Sequence, residues 1–194
     1  SQLTRKPRPT EEGARLLAAE CALEDRDAAR ALRDLAELPP GVARRTQALR
    51  LKLQAARLAR QPVEALRTAR LLAKHQGFTA AAAEGLLRTL ATETLDSARD
   101  ADQLRGIWAH LDPQDRRDPM VVAHAAERMA SMGAMLDARQ WLAPLWDRMA
   151  EHPGDAIDAL SRALTVSLDG LEAEWLPRLD ACNQLALRHP GRFK

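Results

Sequence analysis

The feature that most constrains this chain is a turn that recurs. Four times, a turn between two apolar-periodic segments is followed five residues on by an alanine. The copies are Arg26-Asp27-Ala28-Ala29-Arg30-Ala31, Arg60-Gln61-Pro62-Val63-Glu64-Ala65, Asp96-Ser97-Ala98-Arg99-Asp100-Ala101 and Gly133-Ala134-Met135-Leu136-Asp137-Ala138. The alanines Ala31, Ala65, Ala101 and Ala138 are spaced by 34, 36 and 37 residues. A period of about 34 is that of helix–turn–helix repeats. The residue must be small, because the second helix of each pair approaches its first helix closely. Only the fourth copy has glycine at the turn, a fifth and degenerate turn falls at Gly170, and the drift to 37 implies insertions in the later copies. One such pair cannot bury both of its faces, whereas neighbours stacked in a row can. An irregular helical bundle is the alternative.

Helical segments are expected at 10–25, 27–38, 42–60, 62–75, 79–95, 100–111, 119–132, 135–150, 155–168 and 172–188. Thr10 stands as an N-cap, with Glu11 and Glu12 at the positive helix end. Pro39, Pro40 and Gly41 break the chain after the second segment. Pro62 and Pro119 open helices, Gly77 is the expected left-handed residue after the fourth, and Pro144 predicts a kink inside the eighth. Residues 1–9 carry basic groups and prolines with no apolar stripe, the pattern of a flexible leader. The expected architecture is therefore all-α: a tetratricopeptide-like α-solenoid of about five antiparallel helix pairs, forming one repeat domain over 10–194.

Composition agrees with helix. Of 194 residues, 46% are apolar and only 3% aromatic, with no tyrosine. Strand-favouring aromatics are thus scarce, while strong helix formers abound. The formal net charge of +2 argues against a nucleic-acid partner, which calls for a basic stripe. No apolar run reaches the roughly 20 residues that span a bilayer. Cys21 and Cys182 sit in no metal-ligand spacing and are expected as buried thiols in a reducing compartment.

No phosphate-binding, dinucleotide-binding, metalloprotease or nucleophile-elbow motif occurs. His75, His152 and His189 fall at helix C-termini, where a cation suits the dipole. His110 and His124 flank one turn and can converge, although a solvated surface position is the first reading of both. Trp108, Trp141, Trp146 and Trp175 read first as core residues. Trp141 and Trp146, however, lie about 140° apart on a helix, so one of them is expected outside the core stripe. Arginine clusters at Arg44-Arg45 with Arg50, at Arg57 with Arg60, and at Arg116-Arg117 read as solvated faces or as a groove for an anionic ligand. No carboxylate pair is marked out as a catalytic dyad. An enzyme is not expected, no cofactor is called for, and no metal ligands are apparent.

The segments 14–40, 44–74 and, above all, 104–147, with its Trp followed by RRDP and then a repeat, resemble the tetratricopeptide region of the HemY family. These are proteobacterial inner-membrane proteins linked to haem biosynthesis. The resemblance covers nearly the whole chain from residue 10 and rests on repeat residues, not catalytic ones. It implies a pair of N-terminal membrane helices preceding this soluble fragment, which would be the only link to the membrane. It also implies repeats on the cytoplasmic side and a role in late haem or porphyrin metabolism. The chain reads as an internal fragment of a longer, membrane-anchored protein.

The function expected on these grounds is a non-catalytic interaction scaffold with a protein partner, for which the resemblance implies a haem-pathway enzyme as the candidate. Arg45, Arg50, Arg57, His124 and Arg128, on the first helices of the pairs, are the candidate groove residues. Ala31, Ala65, Ala101 and Ala138 are the repeat-packing residues. The alternative is a haem or porphyrin carrier, for which His110, His124, Cys21 or Cys182 would supply an axial ligand.

Overall fold

The computed structural model describes residues 9–193, the first two by backbone alone, and within them the secondary structure is entirely helical. The helices are α1 (Pro9–Glu24), α2 (Ala28–Ala36), α3 (Pro40–Ala43), α4 (Thr46–Leu58), α5 (Pro62–Lys74), α6 (Ala80–Asp96), α7 (Ala101–His110), α8 (Pro119–Ser131), α9 (Met135–Trp146), α10 (Gly154–Thr165) and α11 (Trp175–Arg188). Short 3-10 turns stand at Asp115–Arg117 and Met149–Glu151. The leader expected at 1–9 lies outside the described residues except for Pro9, whose backbone already belongs to α1. Thr10 is therefore inside the first helix and does not cap it.

The chain forms two compact units, Ser1–Leu90 and Ala91–Lys194. In the first, α1 packs on α2, both pack on α4, and α4 packs on α5. Alanine and leucine from α1, α2 and α4 merge into one cluster that includes Ala19, Ala22, Ala31, Leu35, Leu51 and Ala55. The single helix expected at 42–60 is divided. Pro40 can start a helix but not continue one, so the short α3 forms, and Arg45, in extended backbone, separates it from α4. In the second unit, α8 is the central element and packs on α7, α9, α10 and the Asp115–Arg117 turn. Its buried residues, among them Val121, Val122, Ala125, Ala126 and Met129, leave few positions for solvent. A helix apolar nearly all round is one enclosed by neighbours.

The recurring turn has one geometry at three of its four copies. Arg26, Arg60 and Gly133 have φ of 58°, 54° and 81°. At each, the left-handed residue donates three residues back (Arg26 N to Leu23 O 3.0 Å, Arg60 N to Arg57 O 3.1 Å, Gly133 N to Ala130 O 2.9 Å). The residue after it donates five back (Asp27 N to Ala22 O 2.8 Å, Gln61 N to Ala56 O 2.9 Å, Ala134 N to Met129 O 3.1 Å). This is the Schellman closure, which satisfies the last carbonyls of the helix. The next helix then begins from nearly the same backbone at Asp27 (φ −92°, ψ 79°), Gln61 (−105°, 79°) and Ala134 (−94°, 64°). Ala31, Ala65 and Ala138 follow, at most 1% exposed.

The third copy departs from this pattern. Asp96 has no left-handed φ, and α7 starts only after Asp100, whose carboxylate accepts from Gln103 N at 2.8 Å. Ala101 is half-buried, while Ala98, within the turn, is buried. After α5 the left-handed residue is Gln76 (φ 55°) and not Gly77. Gly77 takes the following position and donates to Leu72 O at 2.9 Å. A Cβ on Gly77 would lie 2.5 Å from Leu72 Cδ1, so glycine is required there by close approach and not by backbone sign.

Candidate functional site

The groove residues expected on the first helices are distributed over both units. Arg45, Arg50 and Arg57 lie in Ser1–Leu90, whereas His124 and Arg128 lie in Ala91–Lys194. Arg45 precedes α4 and faces Glu12 at 3.9 Å. Arg50 donates to Gly77 O at 3.0 Å and so braces the turn after α5. Arg57 is exposed in the last turn of α4. His124 Nε2 stands 2.7 Å from Asp96 Oδ1, and Arg128 donates to Ala98 O at 2.8 Å and Asp96 O at 3.4 Å. His124 and Arg128 thus clamp the irregular 96–98 turn. Where that turn lacks the Schellman closure, a guanidinium from α8 supplies donors for its carbonyls.

His110 and His124 do not share a partner: His110 Nδ1 bonds Gly106 O of its own helix at 2.7 Å. Cys21 is exposed, not buried as expected, and Cys182 is half-buried; both are free thiols. Cys21 lies about 100° around α1 from Ala22, off the stripe that faces α2 and α4. Burial pushes the Cys182 thiol above its ordinary range. Among the described residues no group of three or more His, Cys, Asp or Glu is placed to hold a metal ion. No helix there is long and apolar enough to cross a membrane.

The sequence treated the tryptophans and the Arg116-Arg117 cluster separately, and the structure brings them together. Trp108 of α7 and Trp141 of α9 stack with ring centroids 4.4 Å apart and planes 16° from parallel. Both are half-buried, whereas Trp146 is only 7% exposed, which separates the two α9 tryptophans as their spacing requires. Around the stacked pair lies an open cleft of about 420 Å³ lined by Pro113, Arg116, Arg117, Gln140, Pro144, Leu145, Arg148 and His152.

Its walls are fixed by contacts made one repeat apart. Arg105 of α7 grips Asp137 at the start of α9 with two bonds, Nε to Oδ1 at 3.1 Å and Nη2 to Oδ2 at 2.8 Å. The Arg105 hydrogen bond holds the Asp137 carboxyl below its usual range. The ion pair and the tryptophan stack therefore pin α7 to α9 at separate points. His152 Nε2 donates to Leu145 O at 3.0 Å and secures the chain just past Pro144. Proline has no N–H, so the carbonyl of Gln140 loses its ordinary helical donor on this wall.

The cationic groups differ in how they are used. Arg148 is paired with Glu151 at 2.5 Å, both well exposed. Arg117 is exposed, and among the described residues no ion-pair partner is found for it. Arg116 is half-buried, and its Nε is shielded from solvent without an acceptor. The described lining contains three arginines, a histidine and no carboxylate. An aromatic floor with unused guanidinium donors suits a ligand that is both flat and anionic.

No family model, curated protein or solved structure matches the chain.

Proposed function

We propose that the chain is a tetratricopeptide-like α-solenoid that acts as a non-catalytic protein-interaction scaffold. The observation that carries this reading is the shared turn: one backbone geometry at Arg26, Arg60 and Gly133, each five residues before a buried alanine. A unit repeated in both sequence and backbone is what a stacked array needs, since each pair covers the next. The polar ties are consistent with it, because Arg105–Asp137, Arg139–Glu172 and Arg178–Asp147 each join residues about one period apart. Arrays of this kind present long faces formed from successive helices, and such faces suit protein segments better than small substrates.

The association with late haem or porphyrin biosynthesis at a bacterial inner membrane rests on the resemblance of 14–40, 44–74 and 104–147 to the HemY family. It is tested by passing detergent-solubilised proteobacterial membranes over the immobilised protein and identifying what is retained by mass spectrometry. Reproducible retention of a porphyrin-pathway enzyme, competed by the free protein, is the expected result. Retention of none, together with stoichiometric uptake of haem and a shifted Soret band in the purified protein, would overturn it in favour of a carrier.

A further inference from the structure

The scaffold reading placed its groove on first helices, yet the cleft carrying aromatic and cationic groups lies between α7 and α9. Each of these is the helix that follows one of the recurring turns. Resting on the scaffold reading, we infer that the Trp108–Trp141 cleft docks an acidic segment of a partner protein in which an aromatic side chain is flanked by carboxylates.

Three observations select this occupant. Charge comes first: the lining carries Arg116, Arg117 and Arg148 with no carboxylate, in a chain whose overall charge is only +2. The positive character is thus local and matches a short acidic segment better than the long phosphate backbone of a nucleic acid, which needs an extended basic stripe. Donor availability comes second. Among the described residues Arg116 Nε is shielded and lacks an acceptor, and Arg117 is exposed with no ion-pair partner. A shielded donor is costly until an acceptor reaches it, and a carboxylate meets a guanidinium with short, charge-assisted bonds. Shape comes third. The stacked rings, with Pro113 and Pro144 beside them, form the apolar part of a cleft of about 420 Å³, room for a ring but not for a folded element.

The arrangement also orders the contacts. The aromatic residue settles on the Trp108–Trp141 face, carboxylates on one flank reach Arg116 and Arg117, and a carboxylate on the other flank displaces Glu151 from Arg148. That exchange costs little, because the Arg148–Glu151 pair is a solvent-exposed one.

The test pans a library of random 12-residue peptides against the whole chain and against Arg117→Glu and Trp141→Leu. Circular dichroism verifies that each variant is folded. Because Arg117 is exposed and unpaired, its variant remains informative even if Trp141→Leu unfolds. Enrichment of acidic peptides with an embedded aromatic is expected. Their affinity should fall at least tenfold on Arg117→Glu, weaken with salt, and change tryptophan fluorescence on binding. Enrichment of basic or neutral peptides, or of acidic ones indifferent to Arg117→Glu, would sink the inference while leaving the scaffold reading in place. Enrichment of no peptide at all would overturn both. Equal binding of a poly-aspartate lacking aromatics would show a simple anion patch and overturn the inference, as would tighter binding of single-stranded oligonucleotides.

Discussion

In Ser1–Leu90 the polar side chains that tie one helix to another meet at the surface. Arg15 pairs with Glu37 while both remain well exposed, and Gln47 reaches Glu20 at 3.1 Å on an exposed rim. In Ala91–Lys194 one such tie is buried. Arg139 of α9 is 2% exposed and donates to Ser167 O, to Asp169 O and Gly170 O at 2.8 Å each, and to both oxygens of Glu172 at 2.7 and 3.0 Å. One guanidinium thereby supplies donors for the whole loop between α10 and α11. All four tryptophans also lie in this unit, where Trp146 meets Trp175 edge to face at 6.0 Å and Arg178 covers Trp175 at 5.4 Å. The first unit is held by a periodic alanine–leucine surface. In the second, a few long side chains fix loops that periodicity leaves undetermined.

The strongest way to break this contrast is Arg139→Met. It leaves three carbonyls and a carboxylate without their donor, and loss of one partner from a buried charged network costs about 3–5 kcal/mol. Denaturant unfolding followed by tryptophan fluorescence should show that loss, and hydrogen exchange should accelerate first over 167–172. Arg15→Met, its surface counterpart, should cost less than about 1 kcal/mol. Equal effects would abolish the distinction between the units. A pH dependence accompanies it. Hydrogen bonds from Arg139, Arg105 and Arg148 hold the Glu172, Asp137 and Glu151 carboxyls below their usual range. A carboxyl depressed in the folded state contributes stability above its unfolded pKa, near 4, and loses it as pH falls through the folded value. The second unit should therefore weaken below about pH 4, and Glu172→Gln should flatten that acid limb in pH-dependent thermal melts.

Overpacking sharpens the contrast from the other side. Ala31 and Ala65 are enclosed, so Ala31→Leu or Ala65→Leu should cost about 1–3 kcal/mol by forcing α2 off α1 or α5 off α4. Ala101, half-buried beside the irregular turn, has room to move, and Ala101→Leu should cost clearly less in the same denaturant titration. An equal penalty at Ala101 would mean that the third turn packs like the others.

What could be read beforehand follows the same division. Helix starts at Pro62 and Pro119, the turn position at Arg26, Arg60 and Gly133, and the buried alanines were legible because each is set by residues within one turn of it. Two local signals misled. Pro39-Pro40 looked only like a stop, but Pro40 also opens α3; Gly77 looked like the left-handed residue, but Gln76 takes that role while Gly77 makes room for Leu72. The cleft was not legible as a whole. Its parts were noticed, but the stacking of Trp108 on Trp141 and the grip of Arg105 on Asp137 join residues 32 or 33 apart, and nothing in either local pattern names its partner. Arg128 likewise gave no sign that it closes a turn 30 residues upstream.

The smallest expected effect separates backbone sign from packing within the recurring turn itself. Arg60 and Gly133 hold the same left-handed position, but one carries a Cβ and the other does not. A non-glycine residue there is strained by roughly 1 kcal/mol. Arg60 is exposed, so Arg60→Gly removes that strain without emptying a contact; glycine's greater freedom in the unfolded chain offsets part of the gain. A net stabilisation of a few tenths to about 1 kcal/mol should appear in chemical denaturation. The reverse change, Gly133→Ala, meets no atom within 4 Å, so any loss comes from φ alone and should be about 1 kcal/mol. Opposite signs at the two positions would establish that one backbone geometry underlies both units. Matching signs would mean that the turns resemble each other only in their hydrogen bonds, and that Arg60 stabilises its helix end by a contact of its side chain.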